Sequence, residues 1–409
     1  MVGFLILAVA GIFLAQKDLE HKSELALLPK RTALPEMRIT LNDATLDEVK
    51  QNGKDVRYLG NWLQLGDLAF EDVEVKGRGN ATWGQIKKPY QIKLSQKADL
   101  LDLGKRRKWI LISSYWDDAD LRTDTAFYLE KMVGEDFAYK GDYVELYVND
   151  EYEGLYYLVR GIEVGKNAVN LRDPLGVLVE LDNIYGKMEE KFFITNNGEC
   201  LTVKDVVAKD NADLALASFG QAFNTLEEAV RARDYATLTK VADVESFAEY
   251  YLISEFTANP DAYFTSQYFY KDGPEDKIHA GPAWDFDISL NNTGDRDIAT
   301  AGNSLTKTIA TEELEDKEAQ YGYWSRLFAR LIKMPEFETE VKRVFQERMS
   351  GRKAELIQHM FKQAARIYPE AMRDSEKWGK GDFVRGVKNL LDWVSQRFDY
   401  FEVEYGEKA

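Results

Sequence analysis

Residues 76–94 read KGRGNATWGQIKKPYQIKL. Gly77 and Gly79 permit a tight turn whose backbone N–H groups can face anionic oxygens. YQIKL at 90–94 then reads as a strand, with Tyr90, Ile92 and Leu94 on one face and Gln91 and Lys93 on the other. Arg78, Lys87, Lys88 and Lys93 concentrate positive charge on this short stretch. Lys93, on a strand just after a glycine-containing turn, stands where phosphoryl-transfer chemistry places an ammonium for the α- and β-phosphates. A plain hairpin with a basic rim accounts for the same residues.

Outward from this segment the chain first reads as strands. RITL at 38–41, NWLQLGDLAF near 61–70, VEVKG at 73–77 and KWILISS at 108–114 are apolar or alternating. Asp120 or a neighbour opens a helix with Leu121, Ala126, Leu129 and Val133 on its apolar face, and Gly134 is a natural stop. YVELYV at 143–148 and GLYYLV at 154–159 flank the turn residues Asn149, Asp150 and Gly154. GVLVELD at 176–182 and KFFIT at 191–195 continue the pattern, so this half is expected to be a largely antiparallel sheet carrying one helix.

After about Asp210 the period changes. Leu216, Phe219, Phe223, Leu226 and Val230 are spaced 3, 4, 3 and 4, which is helical. A second helix over roughly 243–257 ends at the NPD of 259–261, where Pro260 breaks the period. A strand pair follows, SQYFYKD at 266–272 and IHAGPAWDFD at 278–287, and from Tyr321 onward the chain is mostly helical. The expected fold class is α+β, with a β-rich lobe over about 31–205 and an α-rich lobe over about 206–409.

Composition narrows the function. The formal net charge of −17 disfavours nucleic acid and anionic lipid as partners. Cys200 is the sole cysteine and His21, His279 and His359 the only histidines, which excludes an intrachain disulfide and argues against zinc-hydrolase chemistry. VGFLILAVAGIFLA at 2–15 is short for a membrane span, which needs about 20 residues. It fits the apolar core of an export signal or an N-terminal anchor, although no Lys or Arg precedes it; a buried helix is the alternative. The expectation is a secreted or envelope-associated protein with a signal peptide or tether over residues 1–30.

Three acidic constellations carry candidate chemistry. In AGPAWDFDISLNN at 280–292, Asp285 and Asp287 stand at i and i+2, on one face if the segment is a strand, where two carboxylates converge on one hard cation. A turn cap and a surface ion pair are the structural alternative for the same two residues. In ANPDAYFTSQYFYKD at 258–272, Asp261 lies at a helix end, 24 residues ahead of Asp285. Phosphoryl transfer uses one Asp to accept the acceptor's proton and a later one to hold metal, in that order; turn chemistry alone also places Asp after Pro. In SYWDDADLRTD at 114–124, three aspartates suit a helix N-terminus, and Arg122 is placed to brace a carboxylate or a phosphate, or to form a solvated pair.

Together these segments resemble the CotH (spore coat protein H) kinase family. The resemblance runs from about Arg38 to the C-terminal helices. It rests on GRGNATW with KKPYQIKL (77–83, 87–94), KWILISSYWDDADLR (108–122), VELYVNDEYEGLYYLV (144–159), ELD (180–182), and NPDAYFTSQYFYKD followed by GPAWDFD (281–287). It implies an atypical protein-kinase-like fold that uses ATP with Mg²⁺ or Mn²⁺ to phosphorylate Ser/Thr or Tyr side chains of proteins, such as coat or cell-surface proteins. On that likeness Lys93 contacts the ATP phosphates and the loop of Gly77, Arg78, Gly79, Asn80 and Thr82 lies against the nucleotide, with Lys88 and Arg122 adding charge. Asp261 is the catalytic base, Asp285 the main metal ligand and Asp287 its assistant, while Glu180 or its neighbours form the adenine-side hinge and Trp284 packs near the base.

Two departures stand out. Ser266, followed by Gln267, occupies the position of the second metal-binding Asn of ordinary protein kinases. Asn291 replaces the glycine that many members carry after the DFD segment; it tolerates a left-handed backbone and brings an amide oxygen that is itself a metal donor. Two other functions fit the same fold: a non-catalytic surface adhesion or scaffold protein, and nucleotide-dependent modification of a non-protein acceptor.

Overall fold

Leu63 and Leu65, Val73 and Val75, and Ile92 and Leu94 alternate with more exposed neighbours on three successive strands, and all six are buried. In the computed structural model, which describes residues 34–134, 137, 139–166, 168–309 and 324–407, they line the inside of a closed barrel. The barrel strands are β1 (Glu36–Thr40), β2 (Arg57–Leu65), β3 (Leu68–Gly77), β4 (Tyr90–Ala98), β5 (Arg106–Ile112), β6 (Gly141–Val148) and β7 (Glu151–Arg160). They run in the order β1-β2-β3-β4-β5-β7-β6. Burying each such Leu, Ile or Val side chain contributes about 1.5–3 kcal/mol.

The strands of this sheet pair antiparallel as expected, with one exception. β1 pairs in parallel with β6, Glu36 opposite Glu145 and Ile39 opposite Val148, and this one parallel contact closes the ring. Closure leaves no strand edge unpaired, which an open sheet cannot achieve.

The β6–β7 hairpin forms as read, with Asn149 and Asp150 both at positive φ, 49° and 63°. This is the left-handed pair that a tight two-residue turn demands. Gly154 is not part of that turn. It lies inside β7 at φ 128°, where a Cβ would come within 2.2 Å of the Asp374 carboxylate. A short helix, α1 (Leu46–Gln51), is opened by a reciprocal capping box between Thr45 and Glu48.

The chain forms two compact units, each drawn from interleaved stretches. The barrel's unit comprises Met1–Thr125, Lys140–Gly161 and Ala354–Asp392; the other comprises Ala126–Tyr139, Ile162–Lys353 and Trp393–Ala409. The second unit carries the antiparallel sheet β12-β11-β8-β10-β9, from β8 (Val177–Leu181), β9 (Phe192–Ile194), β10 (Cys200–Val206), β11 (Gln267–Lys271) and β12 (His279–Ala280).

The remaining helices, in chain order, are α2 (Arg122–Val133), α3 (Ala212–Ala232), α4 (Tyr235–Val241), α5 (Val244–Thr257), α6 (Arg296–Ala299), α7 (Leu327–Leu331), α8 (Pro335–Arg348), α9 (Lys353–Trp378) and α10 (Phe383–Tyr405). The five apolar residues read from the 3–4 spacing are all buried on α3. Phe223 and Phe247 meet Phe269 of β11 edge-on and tilted, at 5.2 and 5.7 Å between ring centroids. The mixed α and β composition is therefore as expected. No described helix is long and apolar enough to cross a membrane, and the apolar run at 2–15 lies outside the described residues.

The expected strand over 278–287 is corrected. His279–Ala280 pairs with Tyr270 and Phe269 of β11, Ile278 makes an isolated parallel bridge to Ala242, and the residues after Ala280 are irregular. Pro282 has no N–H to give a ladder, and Asp285 turns to φ 69°, outside the strand region. The DFD segment is a loop.

Candidate active site

The second unit gathers the acidic residues. Helix α5 stops at Ala258 in the left-handed conformation, φ 47°, whose N–H returns to the carbonyls of Ser254 and Glu255. Asn259 then caps a 3₁₀ turn, Pro260–Tyr263, by accepting the N–H of Asp261 on Oδ1 at 3.1 Å. Pro at the first position costs this turn nothing, because that N–H has no internal partner. The other end of the Asn259 side chain donates to the carbonyl of Asp285 at 3.0 Å and to that of Trp284 at 3.4 Å. One buried amide thus ties the loop bearing Asp261 to the loop bearing Asp285.

Ser266, at φ 52°, donates its hydroxyl to Asp285 Oδ2 at 3.2 Å. Leu290 and Asn291 also sit at positive φ, 50° and 67°, so the turn that glycine would make survives with Asn291. Backbone held in such sparsely populated regions gathers at functional sites. Asp287 lies one turn earlier, its carbonyl bonded by the Asn292 side chain, and it does not share a strand face with Asp285.

Burial pushes the Asp261 carboxyl up to about 7, and the negative charges of Asp285 and then Asp182 push in the same direction. Asp182 belongs to the ELD stretch at 180–182, but the sequence reading gives it no role of its own. It follows β8, is buried, and its Oδ1 accepts the N–H groups of Ile184 and Tyr185 at 3.0 and 2.8 Å. The sequence signal was an Asx turn after an apolar strand, which is ordinary turn chemistry. Glu180, two residues earlier, is buried against Lys204, and burial raises its carboxyl despite that partner. Trp284 is buried among Phe127 and Tyr139, with ring centroids 5.7 and 5.3 Å away.

The residues singled out in the barrel's unit have local roles as well. A Cβ on Gly77 would lie 2.5 Å from the Trp83 ring, and Gly79 needs φ 79° with Thr82 Oγ1 close above it. The Arg78 N–H bonds Pro89 O at 3.3 Å, and Asn80 accepts from the Lys54 ammonium. Lys88 donates to Trp83 O at 2.6 Å, and burial lowers its pKa, with Lys50 assisting. Arg122 is buried and bonded to Asp117 and Asp118, so its guanidinium braces carboxylates rather than forming a solvated pair. Lys87 is fully buried, bonded to Asp374 at 2.8 Å and Leu155 O at 2.6 Å, and so adds nothing to an exposed positive rim. Lys93 differs. It is half-exposed on β4 between Glu74 and Lys108, and its ammonium has no hydrogen bond or ion pair among the described residues.

The family model for CotH kinase protein matches residues 73–401. The chain belongs to the CotH family. No curated protein matches it significantly. The CotH match spans the Gly77–Lys93 segment, the Asp261 and Asp285 loops and the motifs between them on which the resemblance rested. Among the described residues no group of three or more His, Cys, Asp or Glu side chains converges tightly enough to hold a metal unaided. A hard dication shared with phosphate oxygens needs only one or two protein carboxylates.

Proposed function

We propose that this CotH protein is an ATP-dependent phosphotransferase, an atypical protein kinase acting on Ser/Thr or Tyr side chains of proteins outside the cytoplasm or at the envelope. The observation that carries the reading is Asp261, on a turn locked by Asn259 to the Asp285 loop and with its carboxyl raised to about 7. A general base works best with a pKa near the working pH.

Asp261 accepts the proton of the acceptor hydroxyl, whose oxygen forms the new bond to the γ-phosphorus while the bond to the bridging oxygen breaks and ADP leaves. Lys93 neutralises α/β-phosphate charge with an ammonium that no other side chain occupies among the described residues. Asp285, oriented by Ser266 and Asn259, would hold Mg²⁺ or Mn²⁺, with Asp287 or Asn291 completing the donors; the ion's charge would offset that of the phosphates.

The test is phosphate transfer from γ-labelled ATP with Mg²⁺ or Mn²⁺, using the whole chain beside Asp261→Asn and Asp285→Ala. Label incorporated by the unchanged protein and lost in both variants supports the assignment. Silence in all three, with no thermal stabilisation by ATP and metal, removes it and favours a non-catalytic surface role. An adduct with the mass of a nucleotide instead points to nucleotidyl transfer.

A further inference from the structure

The turn that carries Asp261 is held from outside by two backbone N–H groups. Asn183 donates its N–H to Phe264 O at 2.8 Å, and Ser325 donates its N–H to Tyr263 O at 2.5 Å. These donors come from distant stretches of chain, one just after β8 and one just before α7. Their side chains share a single acceptor. Asn183 Nδ2 donates to Glu199 Oε2 at 2.5 Å, and the Ser325 hydroxyl bonds the same carboxylate.

Glu199 is itself fixed. Its N–H donates to Thr195 Oγ1 at 3.1 Å, and the next residue's N–H donates to Asn183 Oδ1 at 2.9 Å. Burial raises the Glu199 carboxyl above its ordinary value, opposed by the bonds from Asn183 and Ser325 and by the nearby guanidinium groups of Arg326 and Arg330. Asn183 also directly follows Asp182, whose charge bears on Asp261.

We propose that Glu199 is a positioning residue: through Asn183 and Ser325 it sets the placement of the turn bearing Asp261, and with it the catalytic step. The catalytic half of this statement rests on Asp261 being the base. Removal of the Glu199 carboxylate takes away the acceptor that both clamp side chains share, and displacement of a reacting group by a fraction of an ångström to 1 Å is enough to cost large factors in rate. Groups that orient active residues from behind typically account for about 10–100-fold.

The experiment compares the full-length protein with Glu199→Gln and Glu199→Ala in kcat, KM for ATP, pH profile, thermal midpoint and amide hydrogen exchange. Expected is a kcat about 10–100-fold lower in Glu199→Ala at little-changed KM for ATP, with a shifted acidic limb. Glu199→Gln should fall between, because one amide oxygen can keep one clamp. Exchange should accelerate at Asn183 and Ser325 while the distant helices stay protected. Unchanged exchange at those two amides overturns the proposal, as does a loss of folded protein with kcat per active molecule intact. If the unchanged protein transfers no phosphate, the base reading fails on its own. The exchange comparison still decides whether Glu199 holds the turn.

Discussion

Asn259 donates its side-chain amide to the main-chain carbonyl of Asp285 at 3.0 Å while its own carbonyl oxygen takes the N–H of Asp261. One side chain therefore bonds both acidic loops. Asn259→Ala removes these bonds from a fully buried position and should cost about 1–3 kcal/mol. Transfer activity should fall further than stability does. Asn259→Asp keeps the cap on Asp261 but cannot donate to Asp285 and adds a negative charge. It should therefore move the acidic limb of the rate profile upward, as a pH-rate comparison of the two variants would register.

The raised Asp261 carboxyl fixes the sign of the pH dependence. As a base Asp261 must be ionised, so kcat/KM, which reports the unliganded protein, should rise with pH through about 7. Asp182→Asn removes one of the charges that raise it and should move that limb to lower pH.

The same shift has a consequence for stability. A carboxyl whose pKa is higher folded than unfolded contributes stability below its unfolded pKa of about 4, lost as pH rises toward 7. Mg²⁺ or Mn²⁺ with ATP should reverse this by favouring the ionised form, so the ligand-induced rise in thermal midpoint should be larger at pH 8 than at pH 5.5. Equal rises at both pH values would separate metal binding from Asp261.

Lys87 and Asp374 form a fully buried pair, with Lys380 bonded to Asp374 and to Asp120. Asp374 also accepts the N–H of Leu155 at 2.9 Å. Lys87→Met leaves these acids short of one cation in a dry site, which should cost about 3–5 kcal/mol and lower the thermal midpoint by roughly 10 °C. Gly154→Ala should also destabilise the barrel, since its Cβ would meet the Asp374 carboxylate at a φ of 128°.

Lys93→Met makes the opposite prediction. Its ammonium has no partner to lose among the described residues, so the thermal midpoint should hold while KM for ATP rises. A midpoint that falls with KM unchanged would assign Lys93 to the barrel rather than to phosphate.

Local chemistry was legible in the sequence. The 3–4 spacing of Leu216 to Val230 becomes the buried stripe of α3, the Asn149–Asp150 pair becomes the hairpin turn, and Asn291 takes the left-handed backbone that its side chain tolerates. These follow from interactions within a few residues, so neighbouring residue types determine them. The family was legible too, because several separated motifs in order identify it. Tertiary structure alone decided the rest. Barrel closure joins Glu36 to Glu145, and Lys87, which reads as a surface cation, is neutralised by an aspartate 287 residues away. Asp182 and Glu199 enter the acidic site through one turn and two backbone clamps whose residues are ordinary in any local window. Long-range partners set burial and field, and no short-range pattern encodes either.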